Sequence, residues 1–258
     1  ELQSNDIKPL IVLLDYNSID TSNDLKEIKL NRKISIKDLN NKKGIINVAI
    51  VGAGPFAKQV HIPNFKRLET KFNLYALMSR NGYNTKNTAE NNDFNYCTTS
   101  YDDILNDENV DLVFITSNHK SHAKYVLEAL KAGKNVFVEK PLAINKNELD
   151  KIKNFYNFNE NQHKPMLTVG FNRRFSDYTS KIKSLTKESS QPLFIHYRMN
   201  AGFKDTKSPI FDEGGRIIGE ACHIIDLMSF ITESKLKSIS WNSLSPNNSQ
   251  YLKDDNKS

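Results

Sequence analysis

Residues 48–57 read VAIVGAGPFA, and the fold turns on that stretch. Four apolar residues run into Gly52-Ala53-Gly54-Pro55-Phe56-Ala57, a G-x-G-x-x-A pattern set between a strand-like run and a helix-like one. The first glycine allows a tight turn. The second lets the backbone approach a pyrophosphate, and the third small residue lets helix and strand pack closely. Phosphates then rest on free N–H groups at the helix N-terminus. In isolation the pattern is turn chemistry; its value comes from what surrounds it.

Working outward, IINVAIV (45–51), LYALM (74–78), VDLVFIT (110–116) and KNVFV (134–138) are continuous apolar runs, as in strands buried on both faces. Between them lie candidate helices PFAKQVHIPNFKRL (55–68), TKNTAENN (85–92), YDDILND (101–107) and SHAKYVLEALKAG (121–133), the last stopping at Gly133. Strands alternating with helices predict βαβ units and a doubly wound parallel sheet, an α/β fold of Rossmann type. In that setting the glycine turn reads as a dinucleotide site at Gly52, Gly54, Pro55, Phe56 and Ala57.

The division expected is an extension over 1–45, a dinucleotide-binding domain over 46–144 and a second α/β region over 145–258. The extension offers two strand candidates, PLIVLLDY (9–16) and KEIKLNRKISI (26–36), then the linker NNKKG (40–44). The second region offers the helix KNELDKIKNFYNF (146–158) and the strands MLTVGF (166–171) and LFIHYRMN (193–200). It continues with a helix over GEACHIIDLMSFIT (219–232) and a strand over KSISWNSL (237–244).

Composition narrows the classes. The chain has 258 residues, a net charge of +6 and two cysteines, Cys97 and Cys222. Its lysines are scattered among asparagines rather than clustered with aromatics, which argues against a nucleic-acid partner. No uncharged apolar run of about 18 residues exists, so no membrane span is expected. Two lone thiols suit a cytoplasmic setting, and no CxxC metal site is present. The sequence begins Glu1-Leu2-Gln3, which reads as a piece of something longer.

Ligands of open α/β sheets bind at the carboxyl ends of the strands. After the second strand stand Ser79-Arg80-Asn81, where an acid would grip the ribose hydroxyls of NAD. Their donors suit a 2′-phosphate, so NADP is the preferred cofactor; Arg80 stacking on adenine would tolerate NAD as well. After the fourth, ITSNHKSH brings Thr116, Ser117, Asn118 and His122 to the same edge. His122 reads equally as a helix-start side chain satisfied by local backbone.

Four segments then carry a family resemblance: VAIVGAGPFAKQVHIPNF, VDLVFITSNHKSHAKYVLEALKAGKNVFVEKPLA, VGFNRRFS and GGRIIGEACHIIDL. Together they resemble the glucose–fructose oxidoreductase / inositol dehydrogenase (Gfo/Idh/MocA) family. The resemblance implies a Rossmann domain followed by an α/β substrate domain with a mostly antiparallel sheet, and hydride transfer between nicotinamide and a hydroxyl or ketone carbon. The substrate would be a sugar, sugar derivative or cyclitol, and the full-length protein a homo-oligomer through its second domain. The EKP segment maps onto Glu139, Lys140 and Pro141, with the lysine at the substrate hydroxyl and a bond before the proline that is often cis. His223 matches the proton-transfer histidine. The family aspartate aligns with Gly219; Glu220, three residues before His223, or another residue takes its place. Asn172, Arg173 and Asp226 are implied on the substrate side, with surface salt bridging the other reading of Arg173. Family members continue through further strands, so an incomplete substrate domain is expected, and PLIVLLDY weakly resembles the tail of an upstream alcohol-dehydrogenase-like domain. A non-catalytic nucleotide-binding regulator on the same fold is the alternative.

Overall fold

A computed structural model of the protein describes residues 32–37, 44–158, 164–187, 191–202, 208, 211, 213–240 and 242. The candidate strand PLIVLLDY lies outside them. The described residues fall in one compact unit.

The apolar runs pair as their period predicts. The strands are β1 (Lys33–Ser35), β2 (Ile46–Val51), β3 (Phe72–Met78), β4 (Tyr96–Thr98), β5 (Leu112–Ile115), β6 (Asn135–Val138) and β7 (Leu167–Val169). They form one sheet in the order β1-β4-β3-β2-β5-β6-β7. Every pairing is parallel except β1 with β4. β2 sits in the middle, with β3 on one side and β5 on the other. The chain thus reverses its direction of winding beside β2, which opens a crevice at the carboxyl ends of β2 and β5.

Alternate residues of the central strands feed two cores. Val48, Ile50, Leu77 and Phe114 pack on one face with Ile62 and Phe65 of α1 (Ile62–Arg67) and Ala89 of α2 (Gly82–Glu90). Val51, Ile115 and Val138 pack on the other. There they meet Ile104 of α3 (Asp102–Leu105), Val126 and Leu130 of α4 (His119–Lys131) and Ile152 of α5 (Lys146–Asn157). Fully burying each such aliphatic side chain contributes about 1.5–3 kcal/mol. This two-sided burial explains the unbroken apolar runs.

Three features depart from the expectation. A widened π-turn over Ala57–His61 precedes α1, with the Ile62 N–H reaching Ala57 O; it accommodates Pro63, which has no N–H to give. The short strand β4 is missing from the sequence reading because Tyr-Cys-Thr carries no apolar period. β7, expected in the second region, instead pairs parallel with β6, so the sheet runs past residue 144.

Beyond β7 the described residues hold α6 (Asp177–Thr186) and α7 (Cys222–Thr232), the latter entered through a π-turn at Ile217–Ala221. LFIHYRMN, expected as a strand, has no strand pairing and is exposed throughout. Ile239 and Ser240 likewise carry none; Ser243 and Leu244 lie outside the described residues. Without a partner strand, an alternating sequence has nothing to hydrogen-bond to. No described helix is long and apolar enough to cross a membrane.

Candidate functional site

The glycine turn is set by contact. Gly52 has φ +114°, and a Cβ there would lie 2.8 Å from Ser117 N and from the Thr116 carbonyl carbon. Only glycine lets the turn after β2 touch the turn after β5. The two are laced by Thr116 N–H to Val51 O (2.9 Å) and Thr116 Oγ1–H to Gly52 O (2.9 Å). At Gly54 the space a Cβ would enter is empty to 4 Å. That opening, over the N-terminus of the helix, is where a pyrophosphate fits.

An open cleft of about 880 Å³ follows from this arrangement, lined by the 51–55 turn, Met78, Ser79 and Arg80, and by Thr116, Ser117 and Asn118. Eight of the expected cofactor residues therefore share one cleft: Gly52, Gly54, Pro55, Ser79, Arg80, Thr116, Ser117 and Asn118. Ser121 and Tyr125 of α4 also line it. Both lie on α4 one and two turns past Asn118, a helical spacing visible in the sequence. Ala57 is fully buried, as a helix–strand packing residue must be, whereas Phe56 is 44% exposed and stands edge-on to His61. Asn81 uses its side-chain oxygen to cap α2 at the Asn84 N–H (3.0 Å). A larger hollow of about 1130 Å³ opens on the far side, at the amino ends of β2 and β3. There Asn73 donates to Asn47 (2.9 Å), and it is remote from the glycine turn.

His122 is a correction. It is fully buried, with Nδ1 2.8 Å from Pro141 O and Nε2 2.9 Å from Ser117 O. Whichever ring nitrogen carries the proton, the side chain is spent on backbone carbonyls and cannot reach a cofactor. On the first turn of α4 stands the half-buried His119, for which the sequence gives no signal.

Beside this cleft the EKP turn leaves β6. The Lys140–Pro141 bond is cis. Glu139 does not face the cleft alone: its Oε1 lies 2.9 Å from His61 Nε2, a partner 78 residues away in sequence with no local signal. Gly170 packs closely under Glu139 and Phe137: a Cβ there would meet Glu139 at 3.2 Å and Phe137 at 3.1 Å. Lys140 turns toward the second region, where its Nζ donates to Gly219 O (2.7 Å). The ammonium thus meets the backbone of the position that lacks the aspartate.

His223 lies on α7, one turn past Gly219. Its Nδ1 is buried and has no hydrogen-bond partner. Burial, with the cations of Lys140 and Arg173 beside it, pushes its pKa below the ordinary histidine value. The expected Glu220–His223 pair is not formed. Glu220 turns back to Arg216, Oε2 to Nε 3.0 Å, because i and i+4 are neighbours on a helical turn. Asp226 is likewise committed: Arg174 clasps both its oxygens, with Nε–H to Oδ2 at 2.7 Å. Arg174 also lies over the Phe230 ring. Arg173 donates to Tyr197 OH (2.9 Å), and Asn172 opens a 3-10 turn with its N–H on Gly170 O (2.9 Å).

Opposite the EKP turn stands one further carboxylate. Glu213 Oε2 lies 3.3 Å from His119 Nδ1, each side chain 23% exposed. Burial lowers the pKa of His119; Glu213 opposes that shift, while Lys140 and His122 add to it.

Comparison with known proteins adds kinship to this geometry. Residues 46–171 match the model of an oxidoreductase family with an NAD-binding Rossmann fold. An uncharacterized oxidoreductase, YrbE, of Bacillus subtilis is 27% identical over 198 residues, 75% of this chain and 56% of that protein. Inositol 2-dehydrogenase of Salmonella typhimurium is 25% identical over 200 residues, 77% of this chain and 56% of the enzyme. The chain spans about half the length of these curated relatives. Among solved structures, a levoglucosan dehydrogenase in complex with NADH and levoglucosan superposes with a TM-score of 0.61 at 19% identity. The match covers 72% of this chain and 54% of that one. At that identity it speaks for the fold.

Proposed function

Since residues 46–171 belong to the Gfo/Idh/MocA oxidoreductases, with their NAD-binding Rossmann fold, we propose that the protein is an NAD(P)-dependent oxidoreductase. Its substrate is a hydroxyl or ketone carbon of a sugar, sugar derivative or cyclitol. The observation that carries this reading is the position of Lys140. It leaves the carboxyl end of β6 beside the nucleotide cleft and reaches Gly219, one turn before His223.

Bound nicotinamide supplies the hydride acceptor or donor. The chain's own residues do the rest. The glycine turn and the first N–H groups of the helical run that starts at Pro55 would take the pyrophosphate, and Thr116 and Ser117 hold the turn against β5. Lys140 orients the reacting oxygen and favours its alkoxide by charge, which is what an ammonium at that point can do. His223, biased toward its neutral form, can exchange the accompanying proton. Arg80 is exposed at the cleft rim with no ion-pair partner among the described residues, which supports NADP(H) as the preferred cofactor. A partly exposed guanidinium–phosphate contact contributes about 1–3 kcal/mol, roughly ten- to a hundredfold in affinity. A dinucleotide-binding part from residue 46 whose sheet takes in β7, a substrate part formed by the rest of the chain from 145, a homo-oligomer through the latter and a cytoplasmic setting belong to the same proposal.

The full-length protein is to be assayed with both nucleotides against a panel of sugars and cyclitols. Lys140→Met is expected to keep nucleotide affinity within a few-fold and to cut turnover by about 10² or more. Arg80→Ala is expected to lose the NADPH preference in competitive titration. Retained turnover in the first variant removes Lys140 from the chemistry; equal affinities in the wild type remove the NADP assignment. One observation favours a second reading, a nucleotide-binding regulator. Glycine occupies the aspartate position, and the adjacent Glu220 is held by Arg216. Tight nucleotide binding without turnover on any substrate would select it.

A further inference from the structure

The carboxylates near Lys140 are mostly spoken for. Asp226 is clasped by Arg174, Glu220 is held by Arg216, and Glu139 faces His61. Among the described residues His223 has no carboxylate in ion-pair range, and its Nδ1 has no hydrogen-bond partner. A proton acceptor works best when a fixed group holds its other ring nitrogen, because the tautomer and the direction of the lone pair are then set. His119 Nδ1 also lacks a hydrogen bond, but a carboxylate, that of Glu213, stands within ion-pair range of it.

We propose that His119, in place of His223, is the proton acceptor of this site and that Glu213 is its positioning residue, doing the work of the carboxylate missing at Gly219. The inference rests on the oxidoreductase reading above and extends it to two residues outside the family motif. His119 opens α4 at the carboxyl end of β5, directly after the cleft residues Ser117 and Asn118. Glu213 comes from the other side, just before Gly214 and Gly215, which lead into the α7 segment. Gly214 has φ +100°, and a Cβ there would meet Ile218 at 3.1 Å, so the turn that presents Glu213 is fixed by packing. Nδ1 of His119 stands 3.3 Å from Glu213 Oε2, in ion-pair range but without hydrogen-bond alignment. Such contacts commonly tighten when a substrate closes the site.

In the oxidation direction the balance is simple. Bound nicotinamide would take the hydride that leaves the carbinol carbon with the C–H electron pair. The O–H proton passes to Nε2 of His119, and the carbon–oxygen double bond forms. Nδ1–H then faces Glu213 as the ring becomes an imidazolium. The charged or titratable groups facing His119 are Glu213, the Lys140 ammonium and His122 one turn along α4. Lys140 disfavours the imidazolium and Glu213 favours it.

The sign of the test follows. Oxidation needs neutral His119, so the rate falls on the acid side as pH drops through its pKa. Glu213→Gln removes the stabilising anion, and the limb moves to lower pH. Two measurements on the full-length protein decide the matter: the pH profile of kcat for polyol oxidation, and the imidazole NMR titration of His119. Glu213→Gln is expected to lower both midpoints together and to cut kcat about tenfold or more, with Glu213→Asp restoring part of each. His119→Asn is expected to cut kcat by about 10² while nucleotide affinity stays within a few-fold. An NMR midpoint unmoved by Glu213→Gln, or full kcat in His119→Asn, overturns the proposal. A wild type that binds nucleotide but oxidises nothing on the panel overturns the oxidoreductase reading instead, and the titration still judges the pairing.

Discussion

Gly52 shows how one residue can be legible for two reasons. The motif places a glycine there for its turn, and the structure adds the backbone of Thr116 and Ser117 pressed against the missing Cβ. Gly52→Ala strains a positive-φ position by about 1–3 kcal/mol and also pushes the two turns apart. A lower urea midpoint with at least tenfold weaker nucleotide binding is expected; unchanged binding would mean that the turns are not coupled. Glu220 was legible only as a carboxylate near His223. Sequence spacing allows it to meet either His223, three residues on, or Arg216, four residues back, and the choice is made by the π-turn at Ile217–Ala221. His61 and Glu139, 78 residues apart, could not be paired from sequence because nothing local announces the contact.

At the level of elements, α4 was placed within two residues by its apolar period, while the task of its buried histidine was not. His122 joins the turn after β5, which faces the cleft, to the turn after β6, which carries Lys140. A helix pattern reports which face is buried, and a polar residue on that face looks alike whether it serves ligand or backbone. Replacing it by Phe keeps the bulk and strands the backbone carbonyl that the single ring N–H satisfies, at a cost of about 1–3 kcal/mol. Chemical denaturation is expected to show a loss of about 1 kcal/mol or more, with turnover falling alongside as the Lys140 turn loosens. A loss under about 0.5 kcal/mol would show that water replaces the ring at that carbonyl. LFIHYRMN marks the opposite limit. Its residues suit a strand, but strand formation depends on a neighbour, and the described residues supply none.

For the molecule as a whole, the parallel sheet was readable because its runs are apolar on both faces. The edges were less so. β4 is three residues long, too short for a period to register, and β1 is only the three residues 33–35 of the strand candidate KEIKLNRKISI. Yet β1 closes the sheet: Lys33, Ile34 and Ser35 pair antiparallel with Thr98, Cys97 and Tyr96, and the Ile36 N–H extends the ladder to Asn95 O (2.8 Å). Lys33 adds its ammonium over the Tyr96 ring at 3.9 Å. This strand precedes the stretch of 46–171 that matches the family. The choice of first residue in any recombinant version is therefore a choice about aggregation. A version begun at residue 46 exposes the outer backbone of β4, an open template for foreign strands. The same gap is a socket. A synthetic peptide carrying residues 32–37 should dock there by strand addition and raise the melting temperature of the shortened protein in a dose-dependent way. A Lys33→Glu peptide, which sets a carboxylate against Asp107, should raise it less.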